Sequence, residues 1–166
     1  MLRTNLLEDN SCPILKSLIL EHCGGDSMVV HGEEFILSSL PVFVCSEGNK
    51  ICGFCVFKED KESIEIIAIN ALISRKGIGL TLIDEVKRYA VAHGKMEIKL
   101  TTTNENLGAI VFYKKMGFNL YSVDVDAVTK ARMIKPSIPL FSEEGVLIKD
   151  ELHFSFAFNN KPNHIK

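Results

Sequence analysis

A β-branched run leads through a glycine-containing turn into a helical pattern, and this order limits the fold more than any other part of the chain. Ile64, Ile66, Ile67 and Ile69 form a run of the length and type a buried strand needs. A polar connection, Asn70 to Arg75, precedes Lys76-Gly77-Ile78-Gly79. Beyond it Leu82, Ile83, Val86, Tyr89 and Ala90 recur at helical spacing, with Asp84, Glu85, Lys87 and Arg88 between them. A helix that starts at such a turn points free N–H groups and the positive end of its dipole at one spot, where an anion is favoured. Gly77 and Gly79 let backbone and anion approach without a Cβ between them, and Arg75 and Lys76 add positive charge. We read this stretch as a pyrophosphate cradle. An ordinary strand-to-helix turn with two glycines is the competing reading.

Two other nucleotide-binding patterns fail on spacing. A phosphate loop of the Gly-x-x-x-x-Gly-Lys-Ser/Thr type needs its lysine after the glycines, and here Lys76 precedes them. A dinucleotide fingerprint, Gly-x-Gly-x-x-Gly, needs a third glycine where Leu82 stands.

At 166 residues the chain is of single-domain size, and residues 1–166 show no repeat, low-complexity tract or linker. A net charge of -2 argues against a broad nucleic-acid footprint, which needs a basic excess. No apolar run approaches the ~20 residues of a membrane span. The N-terminal MLRTNLLEDNS has no signal-peptide core, so a cytoplasmic location is expected, with neither nucleic-acid nor membrane partners. Five cysteines, an odd count, suggest reduced thiols. Cys52-Gly53-Phe54-Cys55 has redox-motif spacing but lies in a strand pattern, where residues three apart face opposite sides. Small apolar fillers are the expected role.

Leu2 to Leu7 reads as a first strand. Asn10 or Ser11 is the expected cap of a helix with Pro13 in its first turn and Gly24-Gly25 at its end. Asp26 to Leu40 is not assigned. In it His31, Glu33 and Glu34 cluster without metal-ligand spacing, so a solvated loop is expected over a substrate or metal site. Val42–Cys45 and Ile51–Phe57 flank Glu47-Gly48-Asn49-Lys50 as a hairpin. After the long helix, Met96 to Leu100 is a strand, Leu107 to Met116 a shorter helix ending at Gly117, and Phe118–Val125 and Glu151–Phe158 the last strands. Arg132 to Glu144, with Pro136 and Pro139, is an excursion between them.

Ser74-Arg75-Lys76-Gly77-Ile78-Gly79 resembles motif A of the GNAT acyl-CoA N-acyltransferases, Arg/Gln-x-x-Gly-x-Gly/Ala. Asn106 to Phe118, with Ala109, Tyr113 and Gly117 in register, resembles motif B, Asn-x-x-Ala-x-x-x-Tyr-x-x-x-Gly-Phe. Gly48 to Phe54 is similar to the family's hairpin. Thr102-Thr103-Asn104 and Lys135-Pro136-Ser137-Ile138-Pro139 are similar to segments of small bacterial members. The resemblance is good over Val42 to Phe118. It implies an α/β fold of the GNAT type, with a mixed central sheet whose parallel strands splay apart between flanking helices. It also implies acetyl-CoA as cosubstrate, no metal, and acyl transfer to a primary amine of a small molecule or peptide.

The same resemblance assigns the site. Ile67, Ala68 and Ile69 would pair with the pantetheine amides, and the N–H groups of Lys76, Gly77, Ile78, Gly79 and Leu80 would hold the pyrophosphate. Asn106 and Ala109 would meet the pantetheine arm, and Tyr113 would protonate the departing thiolate. Ser74 stands where the family has Arg or Gln and lacks the reach of either; Arg75 offers charge beside it. Glu65, the one acid in Ile64 to Ile69, is either a general base or a solvated strand-end carboxylate. An acyl-CoA sensor without transferase activity is the alternative function. The acceptor, the acyl chain and self-association as a homodimer stay open.

Overall fold

The computed structural model describes residues 1–8 and 12–159. The chain runs β1 (Leu2–Leu7), α1 (Pro13–His22), β2 (Ser27–Val30), β3 (Glu33–Ile36), β4 (Val42–Glu47), β5 (Lys50–Glu59), β6 (Ser63–Ala71), α2 (Ile78–Ala92), β7 (Glu97–Thr103), α3 (Leu107–Lys115), β8 (Asn119–Asp124), α4 (Ala127–Ala131) and β9 (Glu151–Ala157). Seven strands form one sheet in the order β1-β4-β5-β6-β7-β9-β8, and β2 and β3 make a separate hairpin. The large sheet is antiparallel except between β6 and β7, which run parallel, so it is the mixed α/β sheet expected. No helix among the described residues is long and apolar enough to cross a membrane.

Each face of the sheet buries its own core. Ile64 and Ile66 join Leu82, Ile83, Val86 and Ala90 of α2, together with Ile98, Leu100 and Phe154. On the other face Ile67 and Ala68 join Leu15 and Ile19 of α1 with Val30 and Phe35 of the small hairpin. Successive strand residues normally alternate between faces. Ile67 and Ala68 break that rule because the β5–β6 ladder shifts register: Phe57 pairs with Ile66 and Val56 with Ala68, leaving Ile67 as an extra residue. Such a bulge bends its strand. The β6–β7 pairing accordingly runs only from Ser63–Glu97 to Ile66–Leu100, although β6 continues to Ala71 and β7 to Thr103.

Three stretches differ from the sequence reading. The α1 N-cap is Cys12, with no side-chain cap bond, while Asn10 and Ser11 lie outside the described residues. Residues 26–40 contain the β2–β3 hairpin, whose two-residue turn, His31-Gly32, has φ of 55° and 73°. Two left-handed residues are what the tightest hairpin turns need, and histidine tolerates that conformation better than most. The short helix α4 falls just before the excursion, in a stretch the sequence reading leaves unassigned, and its five residues are too few to show a helical period. Arg132 holds the excursion in place by donating to the carbonyls of Ile138, Pro139 and Ile148 at 3.2, 2.7 and 2.6 Å.

Gly53 sets how closely α2 lies on the sheet. A Cβ there would collide with Cγ2 of Ile78 and stand 2.9 Å from the carbonyl oxygen of Asn70. The backbone atom cannot swing away as a side chain can. Gly53→Ala should therefore lower stability by about 1–3 kcal/mol, the usual cost of forcing a methyl into a packed interior. Urea unfolding should show a lower midpoint at unchanged slope. An unchanged midpoint would mean that the helix-to-sheet spacing has slack.

Candidate active site

Beyond Ile66 the backbone of Ile67 to Ile69 keeps β5 on one side and has lost β7 on the other. Peptide groups exposed in this way can take up an extended, amide-bearing ligand as an added strand. The gap opens into a cavity of about 460 Å³. Ile66 to Asn70 form one wall and Leu100 to Thr103 the other, with Asn106 and Tyr113 on the α3 side. Met28 to Val30, Val128, Ala131 and Ile138 cover the opposite side. So the structure brings Ile67, Ala68, Ile69, Asn106 and Tyr113 together around one space.

Tyr113 is 8% exposed, set among Phe112, Phe118 and Phe154. Among the described residues its hydroxyl has no hydrogen-bond partner. Burial, with Cys55 as a smaller cause, pushes its pKa above the ordinary value of a phenol. The group therefore stays protonated at neutral pH and is available as a donor to whatever fills the cavity. Asn106 is the N-cap of α3 and accepts from the Ala109 N–H at 3.4 Å. Ala109 itself packs against the core and does not line the cavity.

The glycine turn lies past the Asn70 end of the cavity, open to solvent. Among the described residues no N–H from Lys76 to Leu80 has a backbone acceptor, and the first helical bond of α2 is Thr81 N–H to Gly77 O at 2.9 Å. Free N–H donors of this kind are what an anion at a helix start would need. The two glycines serve different ends. Gly77 is the left-handed N-cap, φ 70°, and a Cβ on it would meet nothing within 4 Å. A Cβ on Gly79 would stand 3.1 Å from Cζ of Phe112, so Gly79 permits the contact of α2 with α3 rather than clearing space for an anion. Ser74 and Arg75 are exposed, and Lys76 is turned to Glu47, with Nζ 3.3 Å from Oε2. Ile78 is buried and can offer only its backbone, while Leu80 is exposed.

Glu65 is no solvated carboxylate. Its side chain is 10% exposed and stands 3.0 Å from Nε2 of His31. The His31 ring stacks on His153 with centroids 4.4 Å apart, and its backbone N–H donates to Glu151 at 3.3 Å. Nδ1 of His153 is 2.7 Å from the Thr101 hydroxyl, and its Nε2 is 3.6 Å from Glu151. Burial pushes the Glu151 pKa up and the His153 pKa down, the latter helped by the charge of His31. Ligand atoms of His31, Glu151 and His153 lie within 4.8 Å of one another. The rings are only 19° from parallel, however, and imidazole lone pairs lie in the ring plane, so the two do not converge on one ion as they stand. The expectation for residues 31–34 is thus half met: Glu33 and Glu34 are exposed, whereas His31 belongs to this cluster. The missed signal is the pair Glu151 and His153, which with Ser155 alternate with Leu152, Phe154 and Phe156 along β9.

A family model described as the acetyltransferase (GNAT) family matches residues 18–118. The Bacillus subtilis protein YdhI is 37% identical over 143 residues, 86% of this chain and 89% of its own length. Another protein of that organism, YxbD, is 32% identical over 147 residues, 86% of this chain and 92% of its own. Among solved structures, an IAA acetyltransferase from Bacillus cereus superposes with a TM-score of 0.74 at 19% identity, covering 95% of this chain and 100% of the other. A GNAT family acetyltransferase from Elizabethkingia anophelis with acetyl-CoA bound superposes at 0.69 with 17% identity, covering 95% and 98%.

The Cys-x-x-Cys pair does not line the cavity, although Cys55 shares the core with Tyr113. Cys52 and Cys55 do not face opposite sides, because the β4–β5 ladder shifts register between Cys45 and Ser46, and both join the core under α2. Cys45, Cys52 and Cys55 are buried free thiols, and burial pushes the Cys45 pKa up to about 12. Neither thiol sits at a helix N-terminus, which is where redox pairs gain their acidity. In native protein an aromatic disulfide reagent should reach only Cys12 and Cys23, which are partly exposed, and all five thiols after unfolding. A native Cys52–Cys55 disulfide would contradict the filler role.

Proposed function

Because the chain belongs to the acetyltransferase (GNAT) family, we propose that it transfers an acyl group, acetyl in the simplest case, from acetyl-CoA to a primary amine of a small molecule or peptide. The amine attacks the thioester directly. The observation that carries this proposal is the parting of β6 and β7 beyond Ile66 and Leu100, with a cavity between them that is walled by Ile67 to Ile69 and bordered by Tyr113. Pantetheine amides pair with the exposed peptide groups of Ile67, Ala68 and Ile69, and the N–H near Ile69 polarises the thioester carbonyl. The pyrophosphate takes the free N–H groups of Lys76 to Leu80. Asn106 borders the pantetheine arm. Ser74 makes no long side-chain contact, and Arg75 contributes charge.

Transfer needs a neutral amine, a polarised carbonyl and a proton for the leaving sulfur. Tyr113 supplies that proton, and Glu65 marks the side of the sheet where the amine loses its own. Support for the first role is the unpartnered, protonated hydroxyl bordering the cavity. Support for the second is the burial of Glu65 just before the bulge.

Tyr113→Phe removes the donor and keeps the ring packing. With an acceptor found by screening an amine panel for CoA release, turnover should fall about 10- to 100-fold, the low end for a general acid because a CoA thiolate leaves readily. Acetyl-CoA binding measured calorimetrically should hardly change. Wild-type turnover in Tyr113→Phe would remove the tyrosine from the chemistry. Absence of acetyl-CoA binding in the wild type would remove the transferase reading altogether.

A further inference from the structure

We propose that His31 takes the proton from the attacking amine and that Glu65 is a positioning residue that fixes the imidazole for this task. The proposal rests on the acyl-transfer reading above and names the group through which its basic side works.

Three contacts hold the ring. Glu65, from β6, meets Nε2 at 3.0 Å. His153, from β9, lies flat beneath it with centroids 4.4 Å apart, itself tied to the Thr101 hydroxyl of β7 at 2.7 Å. Glu151, also from β9, accepts the His31 backbone N–H at 3.3 Å. The tight His31-Gly32 turn presents the residue at the tip of its hairpin. A histidine in a solvated loop would have none of these constraints.

The hydrogen-bond chemistry fixes which nitrogen is free. An ionised carboxylate only accepts, so the nitrogen facing Glu65 carries the hydrogen. The lone pair is then on Nδ1, which has no partner among the described residues. The side chains differ in access as this division requires: Glu65 is 10% exposed and His31 41%. A buried carboxylate behind an imidazole holds its tautomer and stabilises the imidazolium that forms, while the outer nitrogen exchanges protons. Imidazole is also the side chain that most often moves protons in general acid–base catalysis. Val30, next to His31 in the chain, and Thr101 and Glu151, which hold the cluster, line the cavity, while His31 and Glu65 stand behind that lining.

The step balances without another reactant. The amine nitrogen forms the new C–N bond and passes its proton to Nδ1 of His31, directly or through one water. The C–S bond breaks, and the sulfur takes the Tyr113 proton. His31 returns its proton to water at its exposed edge, and the tyrosinate recovers one from solvent. The other titratable or charged groups around this cluster are Lys99 on β7, Tyr121 and Asp124 on β8, and Glu151 and His153 on β9.

The test is kcat against pH at saturating acceptor, which reports groups in the bound complex. Wild-type enzyme should lose activity on the acid side through one ionisation, that of the base. His31→Gln should lower kcat about 100-fold or more and abolish that limb, while Glu65→Gln should lower kcat less and keep it. A limb that survives in His31→Gln and vanishes in Glu65→Gln would overturn the proposal and make the carboxylate the base. Side-chain ¹⁵N NMR of the wild type supplies a readout that needs no acceptor: the Nε2–H tautomer of His31 is expected, and the Nδ1–H tautomer would overturn the assignment. Failure of every amine in the panel would count against acyl transfer to amines and leave the tautomer result to decide the dyad. Turnover abolished by a chelator and restored by zinc would also overturn it, because the cluster would then be a metal site.

Discussion

The extra residue at Ile67 separates two strands that would otherwise pair along their whole length. Up to Ile66 the β6 backbone bonds to β7 as any parallel neighbour does. One residue later the ladder with β5 has slipped, β6 bends, and its far half turns an unpaired edge to the interior of the molecule. An unpaired edge elsewhere would be a liability. Here it is walled on both sides, and the cavity it opens is closed by α3 on one side and by α4 and the excursion on the other. The helix start that follows β6 leaves N–H donors without a backbone acceptor, and Gly53 fixes how closely that helix start lies on the sheet.

The two faces of the sheet divide the chemistry. Tyr113 belongs to the core under α2 and α3, where desolvation keeps a phenol protonated. Glu65, His31, His153 and Glu151 lie where the β2–β3 hairpin meets β6 and β9. A buried carboxylate is costly unless it is partnered, and Glu65 has its partner in His31. Tyr113 and the His31–Glu65 pair are thus held by separate elements, α3 on one hand and the β2–β3 hairpin with β6 on the other.

Much of this was legible because it is local. Strand, glycine turn and helix follow one another within Glu62 to Leu82, and Tyr113 and Asn106 belong to one short helix and its cap. What escaped depends on distant chain segments or on register. His31 meets Glu65 across 34 residues and Glu151 across 120, separations at which periodicity carries no information. Cys52 faces the same core as Cys55 only because of a ladder shift that a strict two-residue alternation cannot anticipate. Gly79 reads in the sequence as a companion of Gly77, yet it answers to Phe112 of a helix that comes later in the chain.

Amide hydrogen exchange with and without saturating CoA tests most directly whether the splay and the helix start together hold the cosubstrate. The account predicts slowed exchange at two separated stretches, Ile67 to Ile69 in β6 and Lys76 to Leu80 at the start of α2, because both present N–H groups that lack a backbone acceptor on the open side. Protection confined to other elements, with those two stretches exchanging at their ligand-free rates, would contradict it.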